Sequence, residues 1–276
     1  MIYQKFHLKE LFPFLGNNGC NPVLEAYIPT NLLDKANLEK KHAGILICPG
    51  GGYQFVSKRE GEPIALKFLQ DGYRVFVLTY SVRPHTFPTQ IREVAGAVEL
   101  IHKYADNWMM DANRLAIMGF SAGGHLACHY SNCYNCKEVR DVFPNSKPVQ
   151  AAVLSYPVIT GDPQFRHKGS FVNLTGHAEP TEEDIEKFSL QNRVSEHTPP
   201  TFIWHTKTDD RVPVINALLY AQALAIHDVS FGLHIYPEGH HGLATVDEVT
   251  CVGDVSSLSD VAQWVNEARV WLKKTL

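Results

Sequence analysis

The first residue with chemical promise is a serine in "LAIMGFSAGGHLA", where Gly119-x-Ser121-x-Gly123 lies between a short apolar run and a segment that opens with small residues. A serine at a sharp strand-to-helix turn is held in a strained backbone conformation, and glycines two residues away on either side keep strand and helix from clashing. Its Oγ then stands at a helix N-terminus, where partial positive charge favours a developing anion. A bare Gly-x-Ser-x-Gly also occurs as a flexible loop. The strand before it, the helix after it and the extra Gly124 give this one meaning.

Serine is a poor nucleophile at neutral pH and needs a base, and the base needs an orienting acid. "FIWHTKTDDRVPV" offers Asp209 and Asp210, and "LHIYPEGHHGL" offers His240 and His241, each pair just after an apolar run. The order Ser, Asp, His suits a parallel sheet whose later strands each end in a functional loop. Asp209 is preferred because it lies three residues after Thr206 and three before Val212. His241 is preferred because Gly242 follows it and leaves room for the imidazole to reach the serine. Asp210 and His240 read as solvated or supporting neighbours.

The loop "ICPGGGY", residues 47–53, could be a phosphate cradle, an oxyanion hole or a tight turn. A phosphate loop would need Gly-x-x-x-x-Gly-Lys-Ser/Thr, or Gly-x-Gly-x-x-Gly running straight into a helix. Neither is present, since Tyr53-Gln54-Phe55-Val56 follows and the first helical stripe begins near Pro63. Consecutive glycines leave backbone N–H groups open to the oxygen of a tetrahedral intermediate, with the amide of Ala122 as the other half of the hole.

Taken together, "CPGGGY", "GFSAGGHLA", "HTKTDDRVPV" and "EGHHGL" resemble the α/β-hydrolase superfamily. Within it the chain is similar to the bacterial esterase/lipase branch that includes acetyl-xylan, feruloyl and other carbohydrate-ester hydrolases. The resemblance runs from about residue 20 to the C-terminus. It implies Ser121, Asp209 and His241 as a triad, Gly51, Gly52 and Ala122 as oxyanion donors, and short acyl groups such as acetyl. One departure stands out: many relatives carry His-Gly-Gly-Gly, and here Pro49 occupies the histidine position. Proline has no N–H and a fixed φ, so another group must hold the loop.

Other polar residues have weaker claims. Tyr53, Tyr80, Arg83, Tyr156 and His167 fall on loops or strand ends expected to face the site, and Tyr53, Tyr156, Arg83 and His167 are taken as pocket candidates. Arg59 and Glu60 in "SKREGEP" could touch a sugar but read first as a charged helix entry. His125, four residues after Ser121, reads as structural.

The elements that must position these residues follow from periodicity. Short aliphatic runs recur at 45–48, 75–80, 115–119, 152–156, 201–205 and 233–236, each suited to a strand buried on both faces. Between them lie helical stripes: Ile91, Val94, Ala95, Val98 and Ile101; Val214, Ala217, Leu218, Ala221, Leu224 and Ala225; and Val261, Trp264, Val265, Ala268 and Leu272. Alternation of this kind implies an α/β fold, a doubly wound, mostly parallel sheet, with the run at 23–28 as an antiparallel edge. The interval 158–200 breaks the alternation and reads as a cap or lid within a single domain spanning 1–276.

At 276 residues and 45% hydrophobic content the chain can bury one large core. Its 25 Lys and Arg against 29 Asp and Glu, with no basic stretch interleaved with aromatics, argue against a nucleic-acid partner. The opening "MIYQKFHLKELFPFLG" is charged and never sustains the apolar run of a signal peptide or membrane span, so a cytoplasmic location is expected. The six cysteines form no dense disulfide framework, and "CHYSNCYNC" carries only half of a zinc pattern. The expected partner is a small-molecule ester, with no cofactor, no metal and no membrane; the chain could also pair as a homodimer. These residues together with the resemblance point to a serine esterase. An amidase, peptidase or arylformamidase would share the machinery, and a non-catalytic protein of this fold would be expected to lack one of its parts.

Overall fold

A computed structural model describes residues 1–30, 40–251 and 253–276. The strands are β1 (Ile2–His7), β2 (Val23–Ile28), β3 (His42–Cys48), β4 (Arg74–Thr79), β5 (Met110–Phe120), β6 (Ala151–Ser155), β7 (Thr201–Thr206) and β8 (Phe231–Tyr236). The helices are α1 (Leu8–Leu11), α2 (Glu62–Leu69), α3 (Thr89–Tyr104), α4 (Ser121–Cys133), α5 (Lys137–Arg140), α6 (Lys168–Thr175), α7 (Glu182–Phe188), α8 (Ile215–Ile226) and α9 (Trp264–Thr275). All eight strands form one sheet in the order β1-β2-β4-β3-β5-β6-β7-β8. The β1–β2 and β2–β4 pairs are antiparallel and the rest parallel.

The central strands read as unbroken apolar runs because both of their faces are covered. In β3, Leu46 and Cys48 enter one hydrophobic cluster with α3, α4 and α8, while Ile45 and Ile47 enter a second with α2 and α9. In the second cluster Trp204 of β7 stacks on Trp264 of α9 with ring centroids 5.0 Å apart. Each buried indole N–H is satisfied, Trp204 donating to Ser155 Oγ (2.7 Å) and Trp264 to the carbonyl of Ala244 (2.8 Å). The second bond ties α9 to the loop after β8.

Two expectations need correction. The strand at 23–28 is antiparallel but not the edge, because β1 pairs along its whole length outside it. β1 shows no buried side because Ile2, Tyr3, Gln4 and Lys5 are all exposed, as an outermost strand permits. In α8 the stripe is turned: Leu218 and Ala225 face outward, and Asn216, Ala217, Tyr220, Ala221 and Leu224 are buried. Asn216 faces inward because its side-chain oxygen accepts from the amides of Ile159 (2.8 Å) and Thr160 (3.0 Å). Residues 158–200 lie between β6 and β7 and contain α6 and α7; Thr181 and Asp184 form a capping box at the start of α7. Among the described residues no helix is long and apolar enough to cross a membrane.

After β3 the chain builds β4 on one side and then crosses to build β5 on the other, so strand order reverses at β3. Such a reversal opens a crevice at the carboxyl ends of the two strands. The glycine loop leaves β3 and Ser121 leaves β5 at that point.

Candidate active site

Ser121 begins α4 directly after Phe120, with φ of +52°, in the left-handed region that non-glycine residues rarely adopt. The packing around the turn explains its glycines. A Cβ on Gly119 would lie 2.2 Å from the carbonyl oxygen of Gly123, and a Cβ on Gly123 would lie 2.1 Å from the carbonyl oxygen of Cys48. Only bare backbone lets β3, β5 and α4 approach this closely.

The hydroxyl of Ser121 lies 2.7 Å from His241 Nε2, and His241 Nδ1 lies 2.7 Å from Asp209 Oδ2. A carboxylate only accepts, so Nδ1 carries the proton, and Nε2 presents its lone pair to the serine. Asp209 is fully engaged. Its Oδ1 accepts from the amides of Arg211 (2.9 Å) and Val212 (2.8 Å), and His205 Nε2 lies 3.2 Å from Oδ2 while donating to the carbonyl of Val212 at 2.9 Å. Burial opposes ionisation of Asp209, but hydrogen bonds from His205 and His241 prevail and hold its carboxyl well below the usual carboxylate range. His205 Nδ1 is buried and has no hydrogen-bond partner among the described residues.

The two neighbouring candidates take other places. Asp210 is exposed and accepts the backbone amide of His241 at 3.0 Å, which steadies His241 through its main chain. His240 is exposed and its Nδ1 donates to the carbonyl of His241 at 2.8 Å. The loops after β7 and β8 are bonded further through Thr206 and Thr208, whose hydroxyls donate to the carbonyl of Gly239 at 2.8 and 3.2 Å.

Gly51, Gly52, Ser121 and His241 line one cavity of about 740 Å³. Both glycines have positive φ, +123° and +63°, and a Cβ on Gly51 would lie 2.0 Å from the carbonyl oxygen of Phe55. Among the described residues the amides of Gly51 and Gly52 donate to no protein acceptor. Ala122 is buried in the first turn of α4, where backbone N–H groups have no helical partner.

The pocket candidates divide. His167 lines the cavity and caps α6, its Nδ1 within 2.8 Å of Ser170 Oγ; burial, then the nearby His241, lowers its pKa. Tyr53 does not line the cavity: its ring is buried, and its hydroxyl donates to His125 Nδ1 at 2.9 Å, since His125 Nε2 must donate to the carbonyl of Phe188 (3.0 Å). That pairing gives His125 a packing role, and burial lowers its pKa to about 4. Arg83 is exposed and does not line the cavity; its amide donates to the carbonyl of Tyr53 at 2.9 Å. Tyr156 does not line the cavity either, being buried with its ring edge-on to His241 at 5.0 Å.

Glu60 lines the cavity too but is not a solvated charge at a helix entry, for it is 3% exposed and its Oε2 accepts the amide of Gly50 at 2.8 Å. Arg59 lines the cavity and donates to the carbonyl of Thr250 at 2.6 Å. The sequence reading missed Asn173 as well, whose side chain donates to the carbonyl of Gly52 at 2.8 Å from α6. No spacing signals these supports.

Comparison with known proteins places the chain in a family. The BD-FAE family model matches residues 30–224, more than half of the chain. The chain belongs to the BD-FAE family. The BD-FAE chain is 37% identical over 233 residues to endo-1,4-beta-xylanase B of Butyrivibrio fibrisolvens, covering 80% of this chain and 36% of the relative. It is 34% identical over 203 residues to acetylxylan esterase of Xylanibacter ruminicola, covering 70% of this chain and 39% of the relative. The chain thus spans little more than a third of the length of these curated relatives. The acetyl ester-xyloside bifunctional hydrolase from Caldicellulosiruptor lactoaceticus superposes with a TM-score of 0.83 at 32% identity, covering 98% of this chain and 96% of that one. MGS-M1, an alpha/beta hydrolase enzyme from a Medee basin deep-sea metagenome library, superposes with a TM-score of 0.74 at 27% identity, covering 100% and 98%. The BD-FAE chain therefore has the α/β-hydrolase fold.

Proposed function

We propose that this chain is a serine esterase that removes short acyl groups, acetyl above all, from carbohydrate or related alcohols. The hydrogen-bonded run Asp209–His241–Ser121, opening into a cavity shared with the glycine loop, carries the reading. His241 Nε2 takes the hydroxyl proton as Ser121 Oγ attacks the ester carbonyl, and the resulting oxyanion is held by the amides of Gly51, Gly52 and Ala122. Asp209 keeps the imidazole in the right tautomer and stabilises the imidazolium. The imidazolium protonates the departing alcohol, leaving an acyl-Ser121 ester. A water, deprotonated by the same His241, then attacks the acyl carbon, and collapse of the second tetrahedral intermediate returns the proton to Ser121. Residues 158–200 act as a cap, and His167 on that segment forms part of the pocket wall. The names of the acetylxylan esterase and the acetyl ester-xyloside hydrolase support an acetyl ester of a sugar as substrate.

The test is a panel of nitrophenyl esters from acetate to laurate, acetylated xylo-oligosaccharides and N-formylkynurenine. Turnover should favour acetate and the acetylated sugars, and Ser121→Ala should lower kcat by roughly a thousandfold or more. Cleavage confined to the formamide would remove the carbohydrate-esterase reading, and near-normal nitrophenyl acetate turnover by the alanine variant would remove the nucleophile.

A further inference from the structure

Glu60 is almost wholly buried yet forms no ion pair among the described residues, an arrangement that costs stability unless hydrogen bonds offset it. Its two oxygens serve two loops. Oε2 accepts the amide of Gly50 at 2.8 Å, and Oε1 accepts the hydroxyl of Tyr156 at 2.7 Å. Gly50 is wedged at the serine turn, where an added Cβ would lie 2.7 Å from Glu60 Oε2, 2.8 Å from the carbonyl of Phe120 and 3.1 Å from Ser121 Cβ.

The loop beyond is oriented one peptide at a time. The Pro49–Gly50 peptide is gripped at both ends, its carbonyl accepting Tyr80 Oη at 2.6 Å and its N–H donating to Glu60. The carbonyl of Gly50 accepts the amide of Ser57 at 2.9 Å, and that of Gly51 accepts the amide of Gln54 at 2.9 Å. In a trans peptide C=O and N–H point in opposite directions, so each pinned carbonyl turns the following amide, of Gly51 and then Gly52, away from its partner. At the other end of the carboxylate, Tyr156 accepts the amide of Ala244 at 3.1 Å while its ring rests edge-on against His241.

We propose that Glu60 is a positioning residue that, through Gly50 on one side and Tyr156 on the other, locks the oxyanion-binding amides and the His241 loop into one geometry. This rests on the serine-esterase reading, and it supplies the anchor that Pro49 cannot. Glutamine at 60 offers one acceptor oxygen, so it cannot accept from both the Gly50 amide and the Tyr156 hydroxyl, and its NH2 group must face whichever of the two is given up, with little change in volume. Phenylalanine at 156 keeps the ring against His241 and removes only the hydroxyl.

The experiment compares Glu60→Gln, Tyr156→Phe and the double variant in kcat and KM on nitrophenyl acetate. It adds the affinity for a trifluoromethyl ketone, whose serine adduct carries an oxyanion. Values are normalised to the end point of Ser121 titration with a phosphonate, so that misfolded protein does not count. Each single variant should lose about a hundredfold in kcat and a similar factor in ketone affinity, as for a misplacement of about 1 Å, with KM within about threefold of the wild type. The double variant should be no more than about threefold worse than either single one, because both break one bridge. Wild-type kcat and ketone affinity in Glu60→Gln, or multiplicative losses in the double variant, would overturn the inference. If the wild type cleaves esters through Ser121 and Glu60→Gln is unaffected, only this inference falls; if the wild type cleaves no ester, both readings fall.

Discussion

Asp209 is the most heavily bonded side chain in the site, with two amides on one oxygen and two histidines near the other. That network makes it a stability residue as well as an orienting one. Its folded pKa lies below the unfolded value, so the stability it contributes is present above about pH 4 and is lost as pH falls further. Asp209→Asn should therefore flatten the acid limb of the unfolding curve, and it should also lower kcat by about 10⁴-fold because the imidazole loses its tautomer selection. Urea midpoints taken across the acid range and kcat on nitrophenyl acetate check both; an unchanged acid limb would mean that the hydrogen bonds do not set its ionisation. Ser121, Asp209 and His241 were legible in the sequence because each sits in a short signature after an apolar run. Glu60 and Tyr156 were not legible in these roles, since what distinguishes them is burial and a mutual contact across 96 positions.

Among the elements, α3 carries a second buried acid. Glu93 is wholly buried and accepts from the amide and hydroxyl of Ser81, which pins the chain as it leaves β4. Burial raises its pKa to about 7 against the opposing pull of those hydrogen bonds. The folded state therefore holds this proton where the unfolded chain would release it, and the stability gained is complete below about pH 4.5 and lost as pH rises through about 7. Glu93→Gln should remove this dependence, which is worth about 3 kcal/mol between the two limits. Urea unfolding at intervals from acid to mildly alkaline pH measures it, and an equal slope in both proteins would show that Glu93 ionises freely. The stripe that buries α3 was plain in the sequence because Ile91, Val94, Ala95, Val98 and Ile101 keep a single face. In α8 it was misread, because Leu218 is an exposed leucine and Asn216 a buried amide, and hydrophobicity alone assigns both to the wrong side. β1 escaped notice for the same reason, having no buried face to produce an alternation.

At the scale of the whole molecule, alternation of apolar runs and stripes was enough to foresee the doubly wound sheet, since parallel strands buried on both faces leave that trace. It did not show how residues 158–200 meet the rest, because those contacts are spread over scattered buried residues such as Phe171, Leu174, Phe188 and Leu190 and over single polar side chains. Asn173 is one of them, reaching from α6 to the carbonyl of Gly52. Asn173→Ala should reduce kcat about tenfold by loosening the glycine loop, while costing only about 1 kcal/mol of stability for one half-buried hydrogen bond. Nitrophenyl acetate kinetics beside urea unfolding would separate the two, and an unaltered kcat would mean that the loop needs no support from that side. The loops that carry Asp209 and His241, by contrast, are knitted to each other, Thr206, Thr208 and Asp210 bonding directly to Gly239 and His241. Among the described residues that line the cavity, His167 alone comes from 158–200, while the glycine loop, the 57–60 turn, Ser121 and the loops after β7 and β8 supply the others. Substitutions across 158–200 can therefore remodel that interval while leaving all but one of the residues that line the cavity in place.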